Sequence, residues 1–264
     1  MKKTKRLASL LMAFALMFGL LGTYALADEG DDLQPTPRDD GEFQDIMPIN
    51  AELTSAALYQ EQADILFDLG LFKGTTTGYN LDWTTTRAQA ATMLVRLLGL
   101  EAEVAAGTYE HPFTDVPAWV DNVVGYLYEN GITKGVSTVN KLFGAEDLCS
   151  ANMYVTFVLR ALGYDEAVGD FAYTTAVDDA VSIGVIDAGL ADALADKEFL
   201  RDDMVMVSFA ALTADLKGGE DGTLLDKLIG DGAVDADTAA QYQEQFDAYA
   251  ALRDEASAPA DEAE

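Results

Sequence analysis

Two stretches, LFDLGLFKG (Leu66–Gly74) and TTTRAQAATMLVRLLGL (Thr84–Leu100), decide the reading, because both come round again. LYENGITKG (Leu127–Gly135) and LCSANMYVTFVLRALGY (Leu148–Tyr164) follow in the same order. Gly70 and Gly74 return 61 residues later as Gly131 and Gly135, and Arg96 and Gly99 return 64 residues later as Arg160 and Gly163. A weaker third copy lies 114 residues beyond the first, where Gly70 maps to Gly184, Arg87 to Arg201 and Leu98 to Leu212. A unit of about 50–60 residues, present three times, is therefore the organising feature. One such unit cannot cover its own apolar face, but three can bury theirs mutually.

Each copy reads as helix, glycine-bounded loop, helix. In the first copy, Thr86 followed three residues later by Gln89 is a capping box. Ala91, Leu94, Val95 and Leu98 then form a buried stripe, and Gly99 ends the helix. In the second copy, Asp115 is a candidate N-cap with Pro117 in the first turn. Trp119, Val123, Tyr126 and Leu127 follow at helical spacing, and Gly131 caps the end. The partner helix starts at Ser150 and buries Tyr154, Phe157, Val158 and Ala161. The intervening loops, about 8–14 residues, have room for a short extended pairing or a short helix. Beyond the third copy, Thr223–Ile229 predicts a short helix. Asp237 is a candidate cap for a last helix carrying Tyr242, Phe246 and Tyr249 on one face. The fold class is mostly α, as three helix-loop-helix repeats.

Composition narrows the function. The chain has 264 residues, half of them hydrophobic, and 46 acidic against 16 basic residues, net −30. That sufficiency of apolar residues argues against a disordered chain, and the acidity argues against nucleic acid as a partner. A single His and a single Cys exclude His/Cys metal sites and any disulfide within the chain. No GxSxG, Walker loop or HExxH occurs, the carboxylates form no glycosidase constellation by spacing, and no acidic loop has full EF-hand spacing. The reading is non-enzymatic, with no cofactor.

The N-terminus reads as an export signal. Lys2, Lys3, Lys5 and Arg6 precede an apolar run from Leu7 to Leu21, and Ala25-Leu26-Ala27 has the form of a cleavage site. The run is short for a membrane anchor. Removing residues 1–27 leaves 12 basic and 46 acidic residues, net −34, in a secreted protein with no stable membrane insertion. The expected organisation is signal peptide 1–27, acidic linker and lead-in 28–52, and repeats at 53–107, 108–165 and 166–217. A helical extension at 218–252 and a flexible acidic tail at 253–264 complete it.

FTDVPAWVDNVVGYLYENGITKG (Phe113–Gly135) resembles the first half of an S-layer homology (SLH) motif, and TTRAQAATMLVRLLGL (Thr85–Leu100) resembles its second half. The family pattern is Phe-x-Asp-Val, a Trp, a Gly-Ile-x-x-Gly turn and an Ile-Thr-Arg-Ala-Glu-like helix start, usually in three tandem copies. The resemblance spans about residues 53–216, with a divergent third copy. It implies a pseudo-threefold helical assembly that anchors exported bacterial proteins to the cell wall or S-layer. The implied partner is a secondary cell-wall polysaccharide, often carrying acidic ketal-pyruvate groups, bound in grooves between repeats.

Carried over position by position, the resemblance selects Asp115 and Trp119 from the Phe-x-Asp-Val and Trp positions. Arg87 stands at the Arg of Thr-Arg-Ala-Glu, with Gln89 in place of Glu, and Arg201 is its third-copy equivalent. The second copy has Ser150-Ala151-Asn152 there and lacks the Arg. Lys73 and Lys134, in equivalent turns, add positive potential or are simply solvated. At most two grooves are then equipped, one around Arg87 with Asp115 and Trp119, the other around Arg201.

Each residue also has a structural reading. Arg87 at the first helical position opposes the helix dipole. That suits either an anion site beside free helix N–H groups or an ion pair with Asp82 or Asp115. Asp115 can be only a cap, and Trp119 only core. Arg96 and Arg160, late in their helices, suit the dipole and read as structural. His111 reads as a solvated linker residue and Cys149 as a buried thiol. The leading expectation is a wall-anchoring protein, either standing alone or displaying its C-terminal helix to a protein partner. The alternative is a scaffold that kept the fold and lost glycan binding.

Overall fold

A computed structural model describes residues 58–219 and 222–257. The predicted signal peptide, the acidic lead-in and the last residues of the tail lie outside that range. The described chain is mostly helical, with eleven α-helices and only isolated β-bridges. In order they are α1 (Gln60–Asp68), α2 (Arg87–Leu97), α3 (Glu101–Ala106), α4 (Asp121–Glu129), α5 (Ala151–Ala161) and α6 (Ala176–Ile183). Then come α7 (Ala188–Leu194), α8 (Arg201–Leu212), α9 (Leu224–Gly230), α10 (Ala236–Ala240) and α11 (Gln243–Ser257).

Three inner helices, α2, α5 and α8, touch one another. Around them α4 packs on α2, α6 on α5 and α1 on α8, so each outer helix rests on an inner helix from a different sequence copy. Every residue of α2 and of α8 is buried. The single apolar stripe expected for α2 therefore understates its surroundings, since neighbours cover all its sides. Two of its buried polar side chains bond close by: Thr92 Oγ1 donates to the Ala88 carbonyl of the same helix, and Arg96 pairs with Glu101.

The glycine turns form as the sequence indicates. Gly70, Gly131 and Gly184 all take φ values of +72 to +86°. In each turn the next two N–H groups return to one carbonyl, of Leu66, Leu127 and Ala180 respectively. The same closure recurs after α9, where Gly232 leads Ala233 and Val234 back to the Leu228 carbonyl. The extension thus begins with one more copy of this helix end.

The capping box of α2 is present: Thr86 Oγ1 accepts from the Gln89 N–H, and the Thr86 N–H donates to Gln89 Oε1. Ser150 caps α5 as expected, accepting from the Met153 N–H. The loops between paired helices, 69–86 and 130–150, are longer than expected and fold back through bridges Thr75–Gly78 and Ser137–Leu142.

The C-terminal region departs from expectation in two ways. Asp235, not Asp237, supplies a cap, accepting from the Thr238 N–H of the separate short helix α10. Helix α11 then continues through Ser257, past the expected start of the tail. Arg253 Nη1 donates to the Thr213 carbonyl at 2.9 Å, a cation on the C-terminal end of α8. Phe246 and Tyr249 are buried against Phe209 of α8. The apolar face of this helix is consumed inside the molecule, so the extension covers α8 rather than displaying that face to a partner.

Candidate functional site

Arg87 opens α2, and its surroundings come from the second sequence copy. Its backbone N–H donates to the Asp147 carbonyl at 2.8 Å, and that of Ala88 to the Ala145 carbonyl at 3.1 Å. With Gln89 N–H on Thr86, the first three N–H groups of the helix are occupied. The expected anion site at free helix N–H groups is therefore absent here.

Arg87 is only 5% exposed. Its guanidinium lies 4.9 Å from the Phe143 ring centroid and 4.6 Å from that of Phe157. Nη2 donates to Thr133 Oγ1 at 3.2 Å. Neither Asp82 nor Asp115 pairs with it, no ion pair joins it to any carboxylate among the described residues, and its Nε has no partner. Burial pulls its pKa down to about 10, which still leaves it cationic at neutral pH.

Arg87 lines a groove of about 310 Å³ with Gly135, Thr156, Phe157, Arg160 and Tyr173. Thr156 Oγ1 is a second buried polar atom without a partner. Gly135 is required where it stands: its φ is +73°, and a Cβ there would lie 2.4 Å from Phe113 Cε1 and 2.5 Å from the Leu142 carbonyl oxygen.

The other expected residues are placed differently. Asp115 is not a helix cap, because the chain continues extended to Pro117, a 3₁₀ turn fills Ala118–Val120, and α4 starts only at Asp121. Its two carboxylate oxygens instead accept the Phe143 and Gly144 N–H groups, each at 2.7 Å. Burial works against its ionisation, but those two donors outweigh it and hold the carboxyl below the usual range. Asp115 therefore fixes the backbone of Phe143, whose ring lies on Arg87. Trp119 is half-buried in the 3₁₀ turn, packs on the core, and does not line the Arg87 groove.

Lys73 and Lys134 are neither free nor groove residues. Lys73 Nζ and Arg96 Nε share Glu101 at 2.6 and 2.8 Å. Lys134 and Arg160 share Glu166 at 3.0 and 2.7 Å. Equivalent turns are thus tied to equivalent helix ends, which gives the lysines a structural task. Burial opposes ionisation of Glu166, but the Arg160 and Lys134 hydrogen bonds outweigh it and lower its pKa.

Arg201, 5% exposed, is also at the first position of its helix. Its N–H donates to the Trp83 carbonyl and that of Asp202 to the Leu81 carbonyl, matching the Arg87 arrangement. Its side chain, however, is committed to the backbone: Nε donates to the Tyr79 carbonyl at 2.9 Å and Nη2 to that of Lys73 at 3.4 Å. His111 is not a solvated linker residue, since its Nδ1 accepts the Phe113 N–H and its Nε2 lies 3.1 Å from Asp121 Oδ1. Cys149 is buried as expected, and burial pushes its thiol up to about 12.

Thr133, Thr156, Arg160 and Tyr173 were not singled out for binding by the sequence. Only Arg160 carried a signal, as a recurring cation read as structural. Among the described residues no group of His, Cys, Asp or Glu is arranged to hold a metal, and no helix is long and apolar enough to cross a membrane.

Over 103 residues, 38% of this chain, it is 35% identical to a protein named middle cell wall protein from Brevibacillus brevis (strain 47 / JCM 6285 / NBRC 100599). Over the same length it is 34% identical to a surface layer protein from Brevibacillus choshinensis. The matches cover 10% and 9% of those relatives, so the chain spans about a tenth of their length. No family model matches the chain.

Proposed function

We propose that this is a non-enzymatic protein of the bacterial cell surface that attaches to the wall by binding an acidic polysaccharide in the Arg87 groove. The observation that carries the reading is a nearly buried arginine at a groove, with an unpartnered Nε and no ion pair to any carboxylate among the described residues. Burying a charge without a counter-ion is costly, and an external carboxylate relieves that cost through a planar two-point contact. The names of the two relatives, and the SLH-like motif residues around Arg87, support a wall location. Residues 53–107, 108–165 and 166–217 act in this reading as three repeats closed into a pseudo-threefold ring, after removal of signal peptide 1–27. An acid-substituted glycan, such as one carrying ketal-pyruvate, is the ligand class suited by a groove with Arg87 unpaired to any carboxylate, beside the Thr156 and Tyr173 hydroxyls. Its attraction is local, because screening over about 8 Å limits repulsion from the acidic remainder.

The test is sedimentation of residues 28–264 with native wall sacculi of the producing bacterium. We expect wild-type co-sedimentation, lost when the polysaccharide is extracted and weakened at least tenfold by Arg87→Ala. A folded wild type that stays in the supernatant would falsify this reading. It would favour a scaffold without glycan binding, a reading that draws on the backbone-bonded Arg201 and on Ala151 at the remaining equivalent position.

A further inference from the structure

We propose that Tyr173 is the aromatic platform of the Arg87 groove, so that the site selects a carboxylate borne on a sugar ring over a free small acid. The inference rests on the anion-binding reading above and adds the residue that sets ligand class.

Tyr173 lines the groove from the third sequence copy, together with the first-copy Arg87, and is 45% exposed. No hydrogen bond or ring contact involves its side chain among the described residues. Its backbone, by contrast, is tightly held. It begins a 3₁₀ turn, Tyr173–Thr175. Asp179 Oδ2 accepts from the Ala172 N–H at 2.9 Å and from Thr175 Oγ1 at 2.7 Å. From the other side, Asn152 on α5 donates to the Thr174 carbonyl at 3.2 Å and accepts from the Val177 N–H at 3.1 Å. Two side chains from two helices thus fix a turn whose ring stays 45% exposed at the groove.

An aromatic ring held rigidly beside a cation and a free hydroxyl has a definite chemical use. Its face takes the apolar C–H face of a pyranose, while Arg87 takes the carboxylate and Thr156 Oγ1 a ring hydroxyl. A small acid such as lactate would reach Arg87 without touching the ring. The arrangement also gives Asn152, which follows the position where the motif arginine is missing, a task in this groove: it positions the Tyr173 turn.

The experiment is isothermal titration calorimetry of the secreted chain with three probes: oligosaccharide fragments released from the wall polysaccharide, the same fragments after carboxyl reduction, and lactate. Tyr173→Ala is expected to weaken the native fragments about tenfold while leaving lactate unchanged. Tyr173→Phe, which keeps the ring face, is expected to retain binding within about threefold. Circular dichroism checks that both variants fold, as an exposed side chain allows. Wild-type affinity for native fragments in Tyr173→Ala overturns the platform alone. Wild type that ignores the native fragments, or binds the reduced ones equally, overturns the Arg87 reading and the platform with it.

Discussion

Arg87 and Arg201 occupy the same register of equivalent helices, are equally buried, and lie against aromatic rings, yet their guanidinia face different surroundings. Opposite Arg201, the loop turns back at once between Thr75 and Gly78, and the Tyr79 carbonyl meets Nε. Opposite Arg87, the corresponding loop runs on to a wider bridge, Ser137–Leu142, and Nε meets no acceptor. Where Arg201 finds Phe72 in the turn, Arg87 finds Thr133. One arginine completes a junction and the other leaves it chemically open. The same residue at the same motif position therefore carries no fixed role, and what faces it decides between structure and binding.

The sharpest way to break this contrast is to exchange charge for shape. Arg87→Met is expected to lower affinity for sacculi by at least tenfold. Its chemical stability should be unchanged or higher, because a buried charge without a counter-ion contributes little to folding. A denaturation midpoint that falls along with binding would make Arg87 as structural as Arg201.

Gly135→Ala comes next. Positive φ and contact with Phe113 should destabilise the fold by about 1–3 kcal/mol in urea denaturation. The same change should also narrow the groove and weaken binding. Arg201→Ala should act in the opposite proportion. It leaves the Tyr79 and Lys73 carbonyls without their donor, costing about 1–3 kcal/mol, while the affinity of the folded protein for sacculi stays near wild type. Reduced affinity at saturating folded protein would give Arg201 a groove of its own.

The smallest expected effect concerns pH. Asp115 and Glu166 have folded pKa values below their ordinary ones. Their contribution is therefore complete above the unfolded carboxylate range near 4 and is lost as pH falls through the lowered folded values. Asp202 runs the other way: burial raises its pKa despite the Leu58 and Tyr59 N–H donors, so protonation relieves it. Urea midpoints from pH 6 to pH 3 should fall for wild type. They should fall less steeply for Asp115→Asn, whose starting stability is already lower.

Much of the fold was legible because its signals are local. A capping box spans four residues, a glycine turn closes on its own helix, and both stand where the sequence put them. The site was less legible because its chemistry is long-range. Asp115 looked like a cap within its own segment, but its donors lie 28 and 29 residues away. Trp119 fits the motif and yet does not line the Arg87 groove. Tyr173 belongs to the copy whose sequence has drifted furthest, where Asp170-Phe171-Ala172-Tyr173 replaces the Phe-x-Asp-Val signature and carries no binding signal. The helix N-terminus beneath Arg87 seemed open to an anion because nothing in the sequence shows that Asp147 and Ala145 carbonyls would fill it.

One buried atom offers a clock for this assembly. Cys149 donates its backbone N–H to the Thr85 carbonyl, in the same crossing that seats Arg87, and its thiol is enclosed. A thiol reagent can reach that sulfur only while the packing around it is parted. Because the chain has no other cysteine, the rate of its labelling counts those partings directly. A ligand that grips both sides of the groove should slow the count.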